Sequence, residues 1–215
     1  MRFVWLLASL VVLAGGPLRA QRVTLGTGYT LADYKEQADF LRFSGGGPTG
    51  TLAIERGRLA LRIEALHLAL NPDGGSAAPL EGFTLDQVKV RVGFRTMSVL
   101  ALEAGYLQRW IDPSRAAQSF GAATFGVRAS YPLAPGADVA VRTAYVASTG
   151  FTGGGSAPFG IELGLNVTYG PGSGRFRFIG DYEFQRIDRR TDQNGSRLSV
   201  PIQSSLARIG VAVRF

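Results

Sequence analysis

FGIELGLNVTY, residues 159–169, alternates without a break. Phe159, Ile161, Leu163, Leu165, Val167 and Tyr169 share one parity; Gly160, Glu162, Gly164, Asn166 and Thr168 share the other. Successive side chains of a β-strand point to opposite faces, so this stretch is a strand with one wholly apolar face and one small or polar face. A helix would scatter both sets around its circumference.

The same period runs outward in both directions. Val139, Val141, Thr143 and Tyr145 alternate with Asp138, Ala140, Arg142 and Ala144, and Val88, Val90, Val92 and Phe94 with Gln87, Lys89, Arg91 and Gly93. Leu59, Leu61, Ile63 and Ala65 alternate with Ala60, Arg62 and Glu64, and Ala207, Ile209, Val211, Val213 and Phe215 with Arg208, Gly210, Ala212 and Arg214. About ten strands are predicted, with eight or twelve as the alternatives, over 22–31, 49–56, 58–70, 83–95, 98–110, 119–132, 137–148, 158–169, 175–187 and 203–215. Short connections (Arg56-Gly57, Thr96-Met97, Ala134 to Gly136, Gly170 to Gly174) alternate with long ones over 32–48, 71–82, 111–118, 149–157 and 188–202. The long ones are rich in Pro, Gly, Ser, Asp and Asn, residues of turns and loops.

With 215 residues, 46% of them hydrophobic, and a net charge of +7, the chain is too apolar for disorder and long enough for one sizeable domain. There is no cysteine, which excludes disulfides and thiolate metal sites. No cofactor motif is found. Gly45 to Gly47 and Gly153 to Gly155 read as loop tips, because no strand, glycine loop and helix surround them as a phosphate cradle requires. The basic residues are dispersed among apolar ones, so nucleic acid is not an expected partner.

Residues 1–20 read as a secretory signal: Arg2, an apolar run from Phe3 to Ala14, a Gly-Gly-Pro break, then Leu18-Arg19-Ala20. That run is too short to cross a bilayer as a helix, which takes roughly 20 residues. Setting Arg2 and Arg19 aside leaves 21 basic against 16 acidic residues in 21–215.

Soluble sandwiches also alternate, with the apolar face inward, and a soluble periplasmic β-protein is the alternative at the level of fold. Three features favour a barrel with its apolar face outward. The polar face mixes glycine and alanine with long charged residues, as the interior of a small barrel requires. Aromatic residues gather near strand ends in two sets, Phe94, Tyr131, Tyr169 and Phe215 at one side and Tyr29, Tyr106, Trp110 and Tyr145 at the other, as two interfacial girdles. The last strand ends on Phe215, which resembles the C-terminal signal read by the outer-membrane barrel-assembly machinery. With the signal segment, the chain resembles small outer-membrane barrels of the OmpA/OmpX-like type. The resemblance implies a closed antiparallel transmembrane β-barrel in the bacterial outer membrane. Outer-membrane lipid and lipopolysaccharide would be its partners, and the assembly machinery would act during biogenesis.

The expected lumen face carries Arg62, Glu64, Lys89, Arg91, Glu103, Arg109, Arg128, Arg142, Glu162, Arg177, Asp181, Glu183 and Arg208, eight basic and five acidic residues. In a small barrel these fill the interior as ion pairs. A structural or surface-interaction role follows. The basic excess makes a narrow, weakly anion-preferring channel the alternative. Barrel enzymes place a histidine beside acids or a serine. The single histidine, His67, falls by parity on the outer face, so no enzymatic activity is expected. Asp73, Asp112, Asp188 and Asp192, and the basic residues Arg189, Arg190 and Arg197, are read as solvated loop charge.

Overall fold

The computed structural model describes residues 21–37, 41–73, 80–171, 174–193 and 196–215. The expected signal segment lies outside them. Ten strands form a closed barrel: β1 (Gln21–Glu36), β2 (Leu41–Arg56), β3 (Leu59–Pro72), β4 (Phe83–Arg95), β5 (Leu100–Asp112), β6 (Phe120–Ala134), β7 (Ala137–Phe151), β8 (Gly160–Tyr169), β9 (Phe176–Gln193) and β10 (Ser196–Arg214). Each pairs antiparallel with its neighbours in sequence, and β1 pairs with β10 from Thr24↔Arg214 to Glu36↔Ile202. Closure leaves no sheet edge, so every strand finds ladder partners on both sides.

The turns at one end are tight. Gly57 and Gly136 hold positive φ (60° and 81°) in the β2–β3 and β6–β7 turns, a region that glycine enters without the Cβ penalty. The loop end carries residues 113–119, with a 3-10 turn at Ala116–Gln118, and 152–159.

Two expected loops are mostly strand. Of 32–48, β1 takes residues up to Glu36 and β2 begins at Leu41; of 188–202, β9 runs to Gln193 and β10 begins at Ser196. The reason is a change of parity. On β1, Leu25, Tyr29 and Leu31 face outward, whereas Ala32 and Tyr34 face inward and Asp33 and Lys35 outward. On β10, Ile209 and Val211 face outward, whereas Leu206 and Ile202 are buried inside. No single alternating phase runs through such a strand. Gly45 and Gly47 are also strand, not a loop tip. A Cβ on either would collide with the carbonyl oxygen of Ala69 or His67, so close backbone approach demands glycine there. Gly154 and Gly155 do lie in a turn, at φ 80° and 88°.

The barrel therefore has two halves. Toward the turns the outside is apolar and the inside charged. Toward the loops the inside is a packed core, including Tyr34, Phe43, Leu68, Leu70, Phe83, Leu107, Ile187 and Ile202, each at most 4% exposed. Tyr34, Phe43 and Phe83 meet edge to face with centroids 4.9–6.5 Å apart. Outside that half, surface ion pairs replace the apolar belt: Arg42 with Asp33 and Asp73 at 3.0 Å, and Arg186 with Asp188 at 3.2 Å. The expectation that the apolar face points outward along whole strands is thus corrected for the loop half, where it points inward.

Leu68→Ala should destabilise the purified barrel by about 2–5 kcal/mol, because it leaves a hole in the loop-side core. Leu59→Ala, on the same strand but outward-facing and half exposed, should cost clearly less. Denaturant unfolding in detergent micelles measures both.

Candidate functional site: the enclosed charge layer

The lumen is layered along the barrel axis. At its centre lie two carboxylates, Glu162 on β8 and Glu183 on β9, exposed by 0% and 3%. Lys89 of β4 bridges them, at 3.0 Å from Glu162 and in closer contact with Glu183. Arg91 reaches Glu162 at 3.2 Å and Glu183 at 3.6 Å. Arg142 of β7 pairs with Glu162 and lies 3.3 Å from Glu183. Alternation sends these five residues inward, and the barrel's closure brings β4 across to β7, β8 and β9. An unpaired charge at such depth would carry several kcal/mol of desolvation cost; here each carboxylate meets three cations.

Two further groups flank the centre. Glu64 takes Arg208 at 2.9 Å and Arg91 at 3.9 Å. Arg62 takes Glu103 at 3.0 Å and Glu55 at 3.4 Å. On the loop side, amides link the charges to the core. Gln185 donates to Glu162 at 3.0 Å, and Arg109 donates to Gln87 and Gln185 at 2.6–3.0 Å while lying over the Phe120 ring. Tyr34 donates its hydroxyl to Gln118, and Arg115 pairs with Glu36 at 2.9 Å, tying the 113–119 loop to β1.

All thirteen expected lumen residues lie on the inward parity, but only nine enter carboxylate–cation pairs. Arg109 is held by glutamines. Arg128 donates to the Ser130 hydroxyl at 3.3 Å, Arg177 to the carbonyls of Gly174 and Phe176, and Asp181 accepts from Asn166 at 3.4 Å. Glu55, Gln87 and Gln185 were not foreseen as partners. Their inward parity was readable, whereas the match across the barrel was not.

Tyr29, Phe94, Tyr106, Trp110, Tyr131, Tyr145, Tyr169 and Phe215 all stand on the outer surface, 42–67% exposed. His67 is also outside. Its Nδ1 lies 2.6 Å from Asp86 Oδ1, and both side chains are half exposed. This pair faces away from the enclosed charges, and no serine approaches it among the described contacts. Arg189 is not solvated loop charge: it is buried, donates to the carbonyls of Gly153 and Gly154, and lies over Phe151. Arg190 is exposed; the side chains of Asp192 and Arg197 lie outside those described. Among the described residues no group of three or more His, Cys, Asp or Glu is disposed to hold a metal ion.

No family model matches the chain, and no curated protein matches it in sequence. Among solved structures, the barrel is similar to an outer membrane channel from Pseudomonas putida F1, with 9% identity over 94% of this chain and 98% of that one and a TM-score of 0.52. It also matches the translocator domain of the autotransporter NalP from Neisseria meningitidis (15% identity, 100% and 95% covered, TM-score 0.45). A third match is the outer membrane protease OmpT from Escherichia coli (9% identity, 91% and 96% covered, TM-score 0.49). At such identities the first likeness establishes the fold alone.

Glu162→Gln should cost about 3–5 kcal/mol, because it removes the charge that balances Lys89, Arg91 and Arg142 at full burial. Denaturant unfolding of the refolded barrel measures the loss. A cost below that of Leu68→Ala would show that the carboxylate is replaceable.

Proposed function

We propose that this chain is a closed, non-conducting barrel of the bacterial outer membrane, with a structural or surface-interaction role. The reading rests on one observation above all: strands reverse their polarity part-way along. Facing acyl chains, an outer surface must be apolar, and facing water it can be charged. Leu25, Leu102, Phe125, Leu165, Phe178 and Val211 form the apolar belt, each about half exposed. A strand needs only about 9–11 residues to cross a bilayer. β9 and β10 have 18 and 19, so their loop-side ends continue roughly 20 Å past the belt at the usual strand rise and tilt.

In this reading the tight turns face the periplasm and the loop-side half stands outside the cell. Its packed core supports the closed state over the channel alternative, because the apolar side chains fill the lumen where a water path would run. Arg42, Arg186 and Arg190 stand outward above the belt, suited to the phosphates of lipopolysaccharide. Residues 1–20 would direct export across the inner membrane, and the assembly machinery would insert the barrel.

Two measurements test the proposal. In planar bilayers the wild-type protein should give no stable ohmic step; a reproducible step would overturn the closed reading. In lipid vesicles Val211→Arg should cost about 2–4 kcal/mol, the penalty for a cation at mid-membrane. Ser205→Arg, six residues earlier on the same face of β10 and paired with Asp33, should cost little. Equal costs would overturn the placement of the interface.

A further inference from the structure

We propose that the turn-side end of the lumen is a binding site for a small phosphoester, centred on Arg128. This end is a vestibule of about 510 Å³ enclosed by the strand ends. That volume lies within the usual range for a small-molecule site. The sequence leaves the space open. Ala53, Ala60, Gly93, Ala101, Ala140 and Gly164 line it, where the loop-side lumen carries leucine and phenylalanine. At Gly93 and Gly164 a Cβ would meet its nearest neighbours at 3.6–3.8 Å, ordinary contact. Backbone crowding therefore does not require glycine at either position, and glycine weakens a strand. What glycine supplies there is room.

Charge supplies the second part. Ten arginines line the vestibule against five carboxylates, with no lysine. Glu64 and Glu183 are engaged by Arg208, Lys89, Arg91 and Arg142, and Glu55 by Arg62 and Arg22. Among the described residues Arg128 has no carboxylate within 4 Å, and the Ser130 hydroxyl is the one polar partner of its side chain. It also sits directly opposite Arg142 in the β6–β7 register, and facing like charges on paired strands destabilise a sheet. Arg142 spends its charge on Glu162 and Glu183. Arg128 keeps its own. A dianion beside it would offset the repulsion. The planar guanidinium fork binds phosphate oxygens in pairs, which a lysine cannot do. Free phosphoesters and lipid headgroups share this chemistry, and both reach a turn-side opening.

The test is calorimetric titration of the intact barrel in zwitterionic detergent at fixed ionic strength, with inorganic pyrophosphate as probe. Saturable one-site binding is expected. Arg128→Gln should weaken it about tenfold or more, the loss of one charge-assisted fork. Ala101→Leu, opposite Arg128 in the β5–β6 register, should weaken it comparably by filling the space with every charge intact. Arg56→Gln, exposed on the outward face at the end of β2 and not part of the vestibule wall, should leave it unchanged. Heat-modifiable gel mobility checks that each variant folds. Competition by glucose 6-phosphate would support a free phosphoester, and competition by dihexanoyl phosphatidic acid a headgroup. Overturning results are no saturable binding, equal weakening by Arg128→Gln and Arg56→Gln, or competition by neither phosphoester.

Discussion

In a strand, parity alone fixes which face each residue takes. A ribbon whose outer face passes from apolar to charged while its inner face passes from charge to core therefore has one way to stay satisfied: its apolar residues must change parity where the faces change. Tyr29 and Leu31 face out and Ala32 and Tyr34 face in, within six residues of β1. β10 makes the reverse passage, from Ile202 and Leu206 inside to Ile209 and Val211 outside. Because β1 and β10 are paired in register across this region, the change falls at one level on both sides of the seam. The position of the change, rather than the count of apolar residues, decides how tall the outer apolar belt is.

The enclosed charges sit where that constraint leaves them. Below the parity change, inward positions have no apolar claim on them, and charged side chains on β4, β7, β8 and β9 meet across the lumen. Lys89, Arg91 and Arg142 surround Glu162 and Glu183 so completely that neither carboxylate keeps an appreciable exposed area. A hydrophobic filling of equal volume would often be as stable. The pairs of Lys89 and Arg91 with Glu162 and Glu183 instead bind strands that share no ladder hydrogen bonds, since β4 is separated from β8 by three strands and from β9 by four. Gln87, Gln185 and Arg109 then stand between the Glu162 and Glu183 carboxylates and the aromatic core.

The turn-side half of the molecule was legible in the sequence because one phase of alternation runs through it unbroken, as in residues 159–169. Its strands, its outward aromatics and the parity of its charged residues followed from that phase. The loop-side half was not legible for the same physical reason that makes it work. A segment such as 32–48 carries two opposed amphipathic phases in succession, and these cancel in any window that spans both. Gly45 and Gly47 resembled a loop tip by composition, while the feature that requires them, the approach of the β3 carbonyls, is a contact between strands. The partnership of Arg109 with Gln87 and Gln185 rather than with an acid is likewise set by which side chains meet across the barrel, and spacing along the chain carries no record of that.

Side-chain volume finally gives the two ends of the lumen different characters. A barrel of fixed strand number has a nearly fixed cross-section, so whether its interior is filled or open depends on the side chains aimed into it. Toward the loops, Phe43, Leu68, Leu70, Phe83, Leu107 and Phe120 are aimed there, and almost none of their surface is accessible. Toward the turns, alanines and glycines alternate with arginines whose heads can lie along the wall, and a cavity remains. The charge layer separates the two as a floor, because Lys89, Arg109 and Glu162 are all buried where they cross the axis. An interior sealed from one side and open from the other admits solutes only at the turn end, and those solutes meet arginine first.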